Sequence, residues 1–277
     1  MASPAHGRPR GPARHHPPRA AGDHPIIVAP SAGHRMAHPD GELGTARAVA
    51  AHGGTLIPST SSNVPIEEIG AIPGLTLWFQ LYPFADLAFT DLLIRRAVAA
   101  GAQAIVLTVD VTSRTAATLP LAASGCRRTS AGRSMTAPAT SSRISPGTTR
   151  ARRDIGGVPG ASPRILHPDD AVRAADEGFP AVVVSNHGGR TLDAAIPTAI
   201  AVPDVVAAAA GRVEVYVDSG IRRGGDVAKA LASARRRRGA ADPVGLLAPE
   251  GTAGATTILG RSCASCGRTW RSPTWPT

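Results

Sequence analysis

AVVVSNHGGRTLDAAIPTAIAVPDVVAAAAGRVEVYVDSGIRRGGDVAKALA, residues 181–232, decides the fold. It runs apolar strand, polar turn, helix, and then repeats. AVVVSN (181–186) and VEVYVDS (213–219) are short apolar runs, the pattern of parallel strands covered on both faces. Helices over about 195–210 and 224–234 follow them. Working outward, PIIVAPSA (25–32), TLIPST (55–60), TLWFQLY (76–82) and AIVLTVD (104–110) read as four more strands. Asp40 stands near the start of a helix with Leu43, Ala46 and Ala50 on one face and Gly53-Gly54 at its end. A helix over 86–100 is expected to face the core with Phe89, Leu93 and Ala97, with Gly101 as its cap. Another opens at His167, with Pro168 in the first turn and Asp169 and Asp170 facing the helix dipole. Regular βα alternation of this length predicts an α/β fold, and a (β/α)8 TIM barrel rather than a doubly wound sheet. Six strands of eight are clear, so the barrel reads as incomplete. The two empty slots fall before 167 and after 234.

The chain has 277 residues and a mass of 28.2 kDa, of which 43% is hydrophobic, enough for one large domain with a core. No apolar run approaches the ~20 residues of a membrane-spanning helix. The first 24 residues hold no apolar stretch, which reads against a secretory signal. Three cysteines build no disulfide framework and fit a cytoplasmic location. Cys263 and Cys266 form a CxxC without the second pair that a zinc site needs, and no metal is expected.

A net charge of +10 raises the question of nucleic acid. The basic excess lies wholly in residues 1–24, 111–165, 235–238 and 261–277, and the rest of the chain is net acidic. Residues 111–165 contain no Phe, Tyr or Trp and no helical or strand period. Nucleic-acid grooves interleave bases with aromatic side chains, so no nucleic-acid partner is expected. Residues 1–23, about 111–163, and 261–277 read as disordered tails and an Arg/Ser/Pro/Gly-rich insertion around a domain over 24–260. Their composition is what a GC-rich gene yields when read out of frame.

Chemistry in a barrel gathers where strands end. Ser185-Asn186-His187-Gly188-Gly189-Arg190 places a titratable ring, two glycines and a guanidinium directly after a strand. The ring can act as a base near neutral pH, and the Arg fork suits a carboxylate. Asp218 to Gly225 puts glycines and Arg222 before a helix start, which makes an anion nest.

SNHGGRTLD resembles the active-site signature of the FMN-dependent L-2-hydroxy-acid oxidases and dehydrogenases, the family of glycolate and lactate oxidases. PIIVAPSAGHRMAHPDGELGTARA, WFQLY, RRAVAAGAQAIVLTVD and VDSGIRRGGDVAKALA agree with it, in order and with family-like spacing. The resemblance implies a (β/α)8 barrel holding FMN at its C-terminal mouth. It places Pro30, Ser31 and Ala32 along the flavin ring, Thr60, Gln80 and Thr108 at its edge, and Asp218, Gly220 and Arg222 on the ribityl chain and phosphate. It makes His187 the catalytic base, Asp110 the carboxylate that orients it, and Arg190 and Tyr82 the contacts to a small 2-hydroxy-acid substrate of lactate or glycolate type. Members of the family are often homo-oligomers.

Departures accompany the resemblance. The family has a Lys at the end of its fifth strand; here Pro163 stands there, with Arg164 beside it. Arg114 is not at the place of the family's second carboxylate-binding Arg, and RRRRGAADP gives no clean match to the Gly-Arg of the eighth strand. A catalytically inactive remnant that at most binds flavin is therefore the alternative reading.

Overall fold

The computed structural model describes residues 25–84, 86–109, 160–161, 164–190, 192–233 and 240–242, and, in a last helical segment, 252–253, 255–257, 259–261 and 264. Residues 1–24 and most of the expected insertion lie outside them. The described end of that insertion, Gly160–Ala161, is a strand, and Arg261 and Ala264 are helical.

The strands are β1 (Ile26–Val28), β2 (Thr55–Leu56), β3 (Thr76–Leu77), β4 (Phe79–Leu81), β5 (Ile105–Leu107), β6 (Gly160–Ala161), β7 (Arg164–Ile165), β8 (Ala181–Val184), β9 (Glu214–Val217) and β10 (Ala240–Asp242). The helices are α1 (Gly41–Ala51), α2 (Ile66–Gly70), α3 (Leu87–Ala99), α4 (Pro168–Asp176), α5 (Thr198–Ala209) and α6 (Gly224–Ser233). All strand pairs are parallel.

Seven strands pair in the order β3-β2-β1-β10-β9-β8-β7, and three in the order β4-β5-β6. β3 and β4 are one stave interrupted at Trp78, and β6 and β7 are chain neighbours. Counted this way there are eight staves, each beside its neighbour in sequence, and the last, β10, pairs with the first, β1. That is the stave order of a (β/α)8 barrel. The two slots that read as empty are filled by β6/β7 and β10. Gly160-Ala161, Arg164-Ile165 and Ala240-Ala241-Asp242 sit in Arg/Ser/Pro/Gly-rich stretches without an apolar run, which is why they are silent in the sequence.

Side chains alternate between two cores, as the period of a strand requires. Ile26 and Val28, Leu77, Phe79 and Leu81, Ile105 and Leu107, Val182 and Val184, and Val215 and Val217 point outward to the helices. Ile27, Ile57, Trp78, Ala104, Val106, Ala181, Val183 and Tyr216 fill the barrel itself. Trp78 and Tyr216 meet there edge to face, with centroids 5.6 Å apart.

Helix α3 corrects one expectation. Asp86 caps it through hydrogen bonds from the N–H groups of Ala88 and Phe89. Its buried face is Thr90, Ile94 and Ala97, while Phe89 lies outside and meets Phe84 edge to face, with centroids 5.1 Å apart. Ala97 is buried as expected and Leu93 packs half-buried against the core, so Phe89 alone is misplaced. Helix α4 starts as expected: His167 accepts from the N–H of Asp169, and Pro168 holds the first turn.

Candidate active site

The C-terminal ends of the staves converge on one mouth. Three groups of polar side chains line it.

The first is built on Gln80, which points inward from β4 and is buried. Its Oε1 accepts from the Ser59 hydroxyl at 2.9 Å and from the Thr60 N–H at 3.1 Å. Its Nε2 donates to Thr108 Oγ1 at 2.9 Å. The Thr60 hydroxyl donates to the Gln80 carbonyl at 2.6 Å and accepts from the Tyr82 N–H at 3.2 Å. The ends of the second, third and fourth staves are thus locked together, and one Gln80 N–H is left over.

The second is the loop after β1. Gly33 takes a left-handed turn, φ 70°, into a short 3-10 turn that buries His34. Ser31 Oγ and His34 Nε2 are 2.7 Å apart, and His34 Nδ1 lies 3.0 Å from Thr45 Oγ1 on α1. The buried Glu42 carboxylate accepts from the N–H groups of His34 and Asn63. Burial pushes the His34 imidazole below its ordinary value, against a weaker opposite pull from Glu42 and a hydrogen bond at Ser31. His34 is therefore neutral at pH 7 and holds Ser31 in place.

The third carries the titratable centre. His187 opens a 3-10 turn at the end of β8 with φ 58°, a left-handed value that a non-glycine residue adopts only where its surroundings hold it. Its N–H donates to Ser185 Oγ at 3.2 Å, and the Gly188 N–H donates to Ser219 Oγ at 3.1 Å. Ser219 Oγ in turn donates to Asp218 Oδ1 at 2.7 Å. Asp218 is 1% exposed, and its Oδ2 receives Arg164 Nη2 at 2.6 Å. Arg164 is itself buried, points inward from β7, and brings Nη1 to 3.4 Å from His187 Nδ1.

Arg164 is the site residue that sequence reading missed. Beside the vacant Lys position it read as a departure. Strand parity reveals it: Ile165 joins the outer core, so Arg164 faces in. Together with Pro30, Trp78, Tyr216 and Asp218 it lines a small cavity inside the barrel.

The remaining expected residues stand at the same stave ends. Ala32, Arg190, Gly220 and Arg222 are exposed and Tyr82 is half-buried. Asp110 lies outside the described residues, as do Pro163 and Arg114. The N–H groups of Arg222 and Arg223 both donate to Asp226 Oδ2, which caps the start of α6.

This donor set fits a flavin mononucleotide. Gln80 keeps an amide N–H for a ring heteroatom. The Asp218 carboxylate is 1% exposed and accepts from Ser219 and Arg164, so it fixes the loop that carries Gly220 and Arg222. Gly220 has φ 81°, and a Cβ there would meet nothing within 4 Å, so the chain turns away and leaves the approach to α6 open. Arg222 stands there with a positive charge for a phosphate. Among the described residues, no cluster suits a metal ion.

The sequence profile of the FMN-dependent dehydrogenases matches residues 21–144 and 164–237. This chain belongs to that family. It is 42% identical over 231 residues to 4-hydroxymandelate oxidase of Amycolatopsis orientalis, covering 75% of this chain and 63% of that protein. It is 38% identical to an L-lactate oxidase of a Nostoc species, covering 75% and 64%. A rice glycolate oxidase is 37% identical over 257 residues, covering 85% and 69%. The chain thus spans a little under two thirds of the first two relatives. The crystal structure of mandelate oxidase superposes with a TM-score of 0.74 at 38% identity, over 88% of this chain and 73% of that one. A solved structure of a point mutant of mandelate oxidase carries a monooxide FMN adduct. FMN is the cofactor that the family's description names.

Proposed function

We propose that this family member oxidises a small L-2-hydroxy acid of lactate or glycolate type to the 2-oxo acid, with FMN as its cofactor. The observation that carries the reading is the tie between two strand ends. Asp218 after β9 and the His187–Gly189 turn after β8 are joined through Ser219, so the proposed cofactor ligand and the proposed base belong to one rigid unit. FMN, when bound, accepts the two electrons that the acid gives up. His187 takes a proton from the hydroxy acid. Arg190 clamps its carboxylate, the Tyr82 phenol hydrogen-bonds the substrate, and Asp110 orients the imidazole. Pro30, Ser31, Ala32, Thr60, Gln80 and Thr108 contact the flavin ring, with Asp218, Gly220 and Arg222 on the ribityl phosphate. Three cysteines in 277 residues support a reducing compartment such as the cytoplasm. No helix among the described residues is long and apolar enough to cross a membrane.

The test is anaerobic. Protein purified with FMN is mixed with lactate, glycolate or mandelate, and the yellow absorbance is followed. Bleaching by one or more of these acids is expected. Bound flavin that none of them bleaches would favour the inactive remnant. Failure to hold FMN would overturn the cofactor assignment.

A further inference from the structure

The Arg164 guanidinium reaches two groups on different staves: Asp218 Oδ2 at 2.6 Å and His187 Nδ1 at 3.4 Å. A guanidinium has only N–H donors, and it stays charged at any pH a protein survives. His187 Nδ1 therefore meets it with a lone pair. A neutral imidazole has one N–H and one lone pair, so the proton of His187 sits on Nε2. An imidazolium has no lone pair and carries a like charge, so it cannot make this contact. The nitrogen free to take up a proton is Nδ1, and that is the atom Arg164 covers.

Arg164 is firmly held. It is 7% exposed, and its partner Asp218 is 1% exposed. Swinging the guanidinium away would leave a buried carboxylate without its charge partner. A closed circuit links the pieces: Arg164 to Asp218, Asp218 to Ser219, Ser219 to the Gly188 N–H, and the neighbouring His187 back to Arg164.

We infer that Arg164 is a positioning residue that latches the base: it occupies the lone pair of His187 Nδ1, and His187 accepts a proton only as Arg164 lets go. This rests on the reading of His187 as the base. The latch itself is a property of the protein without substrate and is measured without turnover.

Diethyl pyrocarbonate acylates an imidazole nitrogen that has a free lone pair. Its rate at His187 is followed by mass spectrometry of the peptide that contains it. His167, exposed at the start of α4 with its Nδ1 held by the Asp169 N–H alike in every variant, is the internal reference. Arg164→Met keeps much of the side-chain bulk and removes every donor. Acylation of His187 relative to His167 is expected to rise roughly 10- to 150-fold, the worth of one hydrogen bond to a charged group. Arg164→Lys retains a charged donor and should stay near the parent rate. Arg164→Met leaves Asp218 buried alone, so Arg164→Met/Asp218→Asn is measured beside it and should show the same acceleration. Unchanged relative rates in both Met variants overturn the latch. FMN titration of the parent, read by quenching of flavin fluorescence, separates the two claims. Absent FMN binding with Arg164-dependent protection intact would sink the cofactor reading and leave the latch standing.

Discussion

Gln80 Nε2 donates a hydrogen bond to Thr108 Oγ1 at 2.9 Å, joining the inward ends of two adjacent staves. The same amide's oxygen is already taken by Ser59 and Thr60. Gln80 thus binds protein on both sides before it can bind a ligand. Both faces of the amide are needed, which explains why a buried polar side chain stands in a barrel otherwise filled by apolar ones.

Gln80→Leu is isosteric enough to fit, yet it strands the Ser59 and Thr108 hydroxyls and the Thr60 N–H. Each unmet buried group costs about 1–3 kcal/mol, and the hydroxyls can partly re-aim, so a loss of about 2–4 kcal/mol is expected. Urea unfolding of the cofactor-free protein measures it. A loss under about 1 kcal/mol would show that the amide is not the keystone of the mouth.

Among the described residues, Trp78 is the largest fully buried side chain. Trp78→Ala should cost about 3–5 kcal/mol, from lost burial and the cavity left behind. Trp78→Phe should cost much less, because among the described residues the indole N–H has no partner to lose. A ring also remains to stack on Tyr216. Equal destabilisation by the two variants would contradict this account.

Two acid-side losses of stability follow from His34 and Asp40. Asp40 Oδ2 accepts from both the N–H and the hydroxyl of Thr252, at 3.2 and 3.0 Å, across 212 residues of chain. A Cβ on Gly44 would come within 2.7 Å of the Asp40 Cβ and 3.1 Å of Thr252 Oγ1, so a side chain there would displace Asp40 and crowd its partner. The Thr252 hydrogen bonds hold the Asp40 carboxyl below its ordinary 3.8. The unfolded chain takes up that proton first as pH falls, so this contribution is present above about 3.8 and lost below it. His34 is also lowered, from 6.5, but by burial. There too the unfolded chain protonates first, and stability declines as pH drops below 6.5, with a slope of at most about 1.4 kcal/mol per pH unit. Melting temperatures between pH 7 and pH 3 should show both declines. His34→Gln should remove the upper one and Asp40→Asn the lower. An upper decline unchanged in His34→Gln would assign it to another group.

Most of this was legible in the sequence because six staves lie in apolar runs that end in polar residues. Gln80, Thr108, His187 and Asp218 could be placed at the mouth on that pattern alone. The helix α2 was not legible: Ile66–Gly70 is little more than one turn, too short for a 3.6-residue period. β10 was hidden because Ala240-Ala241-Asp242 has no apolar run at all. Its place comes from pairing with β1 and β9, a tertiary fact. Phe89 was misplaced because aromatic-to-aromatic contact with Phe84 competes with the core for the same face of α3.

The base assignment itself is tested by His187→Gln. The amide keeps the size and polarity of the ring but accepts no proton at neutral pH. FMN binding should persist, since its proposed contacts are Gln80, Thr108, Asp218 and Arg222. Flavin reduction by lactate or glycolate should fall by roughly 10²- to 10⁴-fold, the usual worth of a positioned general base. Single-turnover reduction without oxygen isolates this step from product release. The latch adds a second signature to the same experiment: Arg164→Met should change the rate of reduction in the parent background and leave it unchanged in His187→Gln, because Arg164 acts on proton uptake through His187. Additive effects of the two substitutions would place Arg164 on a separate path. Full-speed reduction by His187→Gln alone would move the base to another side chain at this mouth.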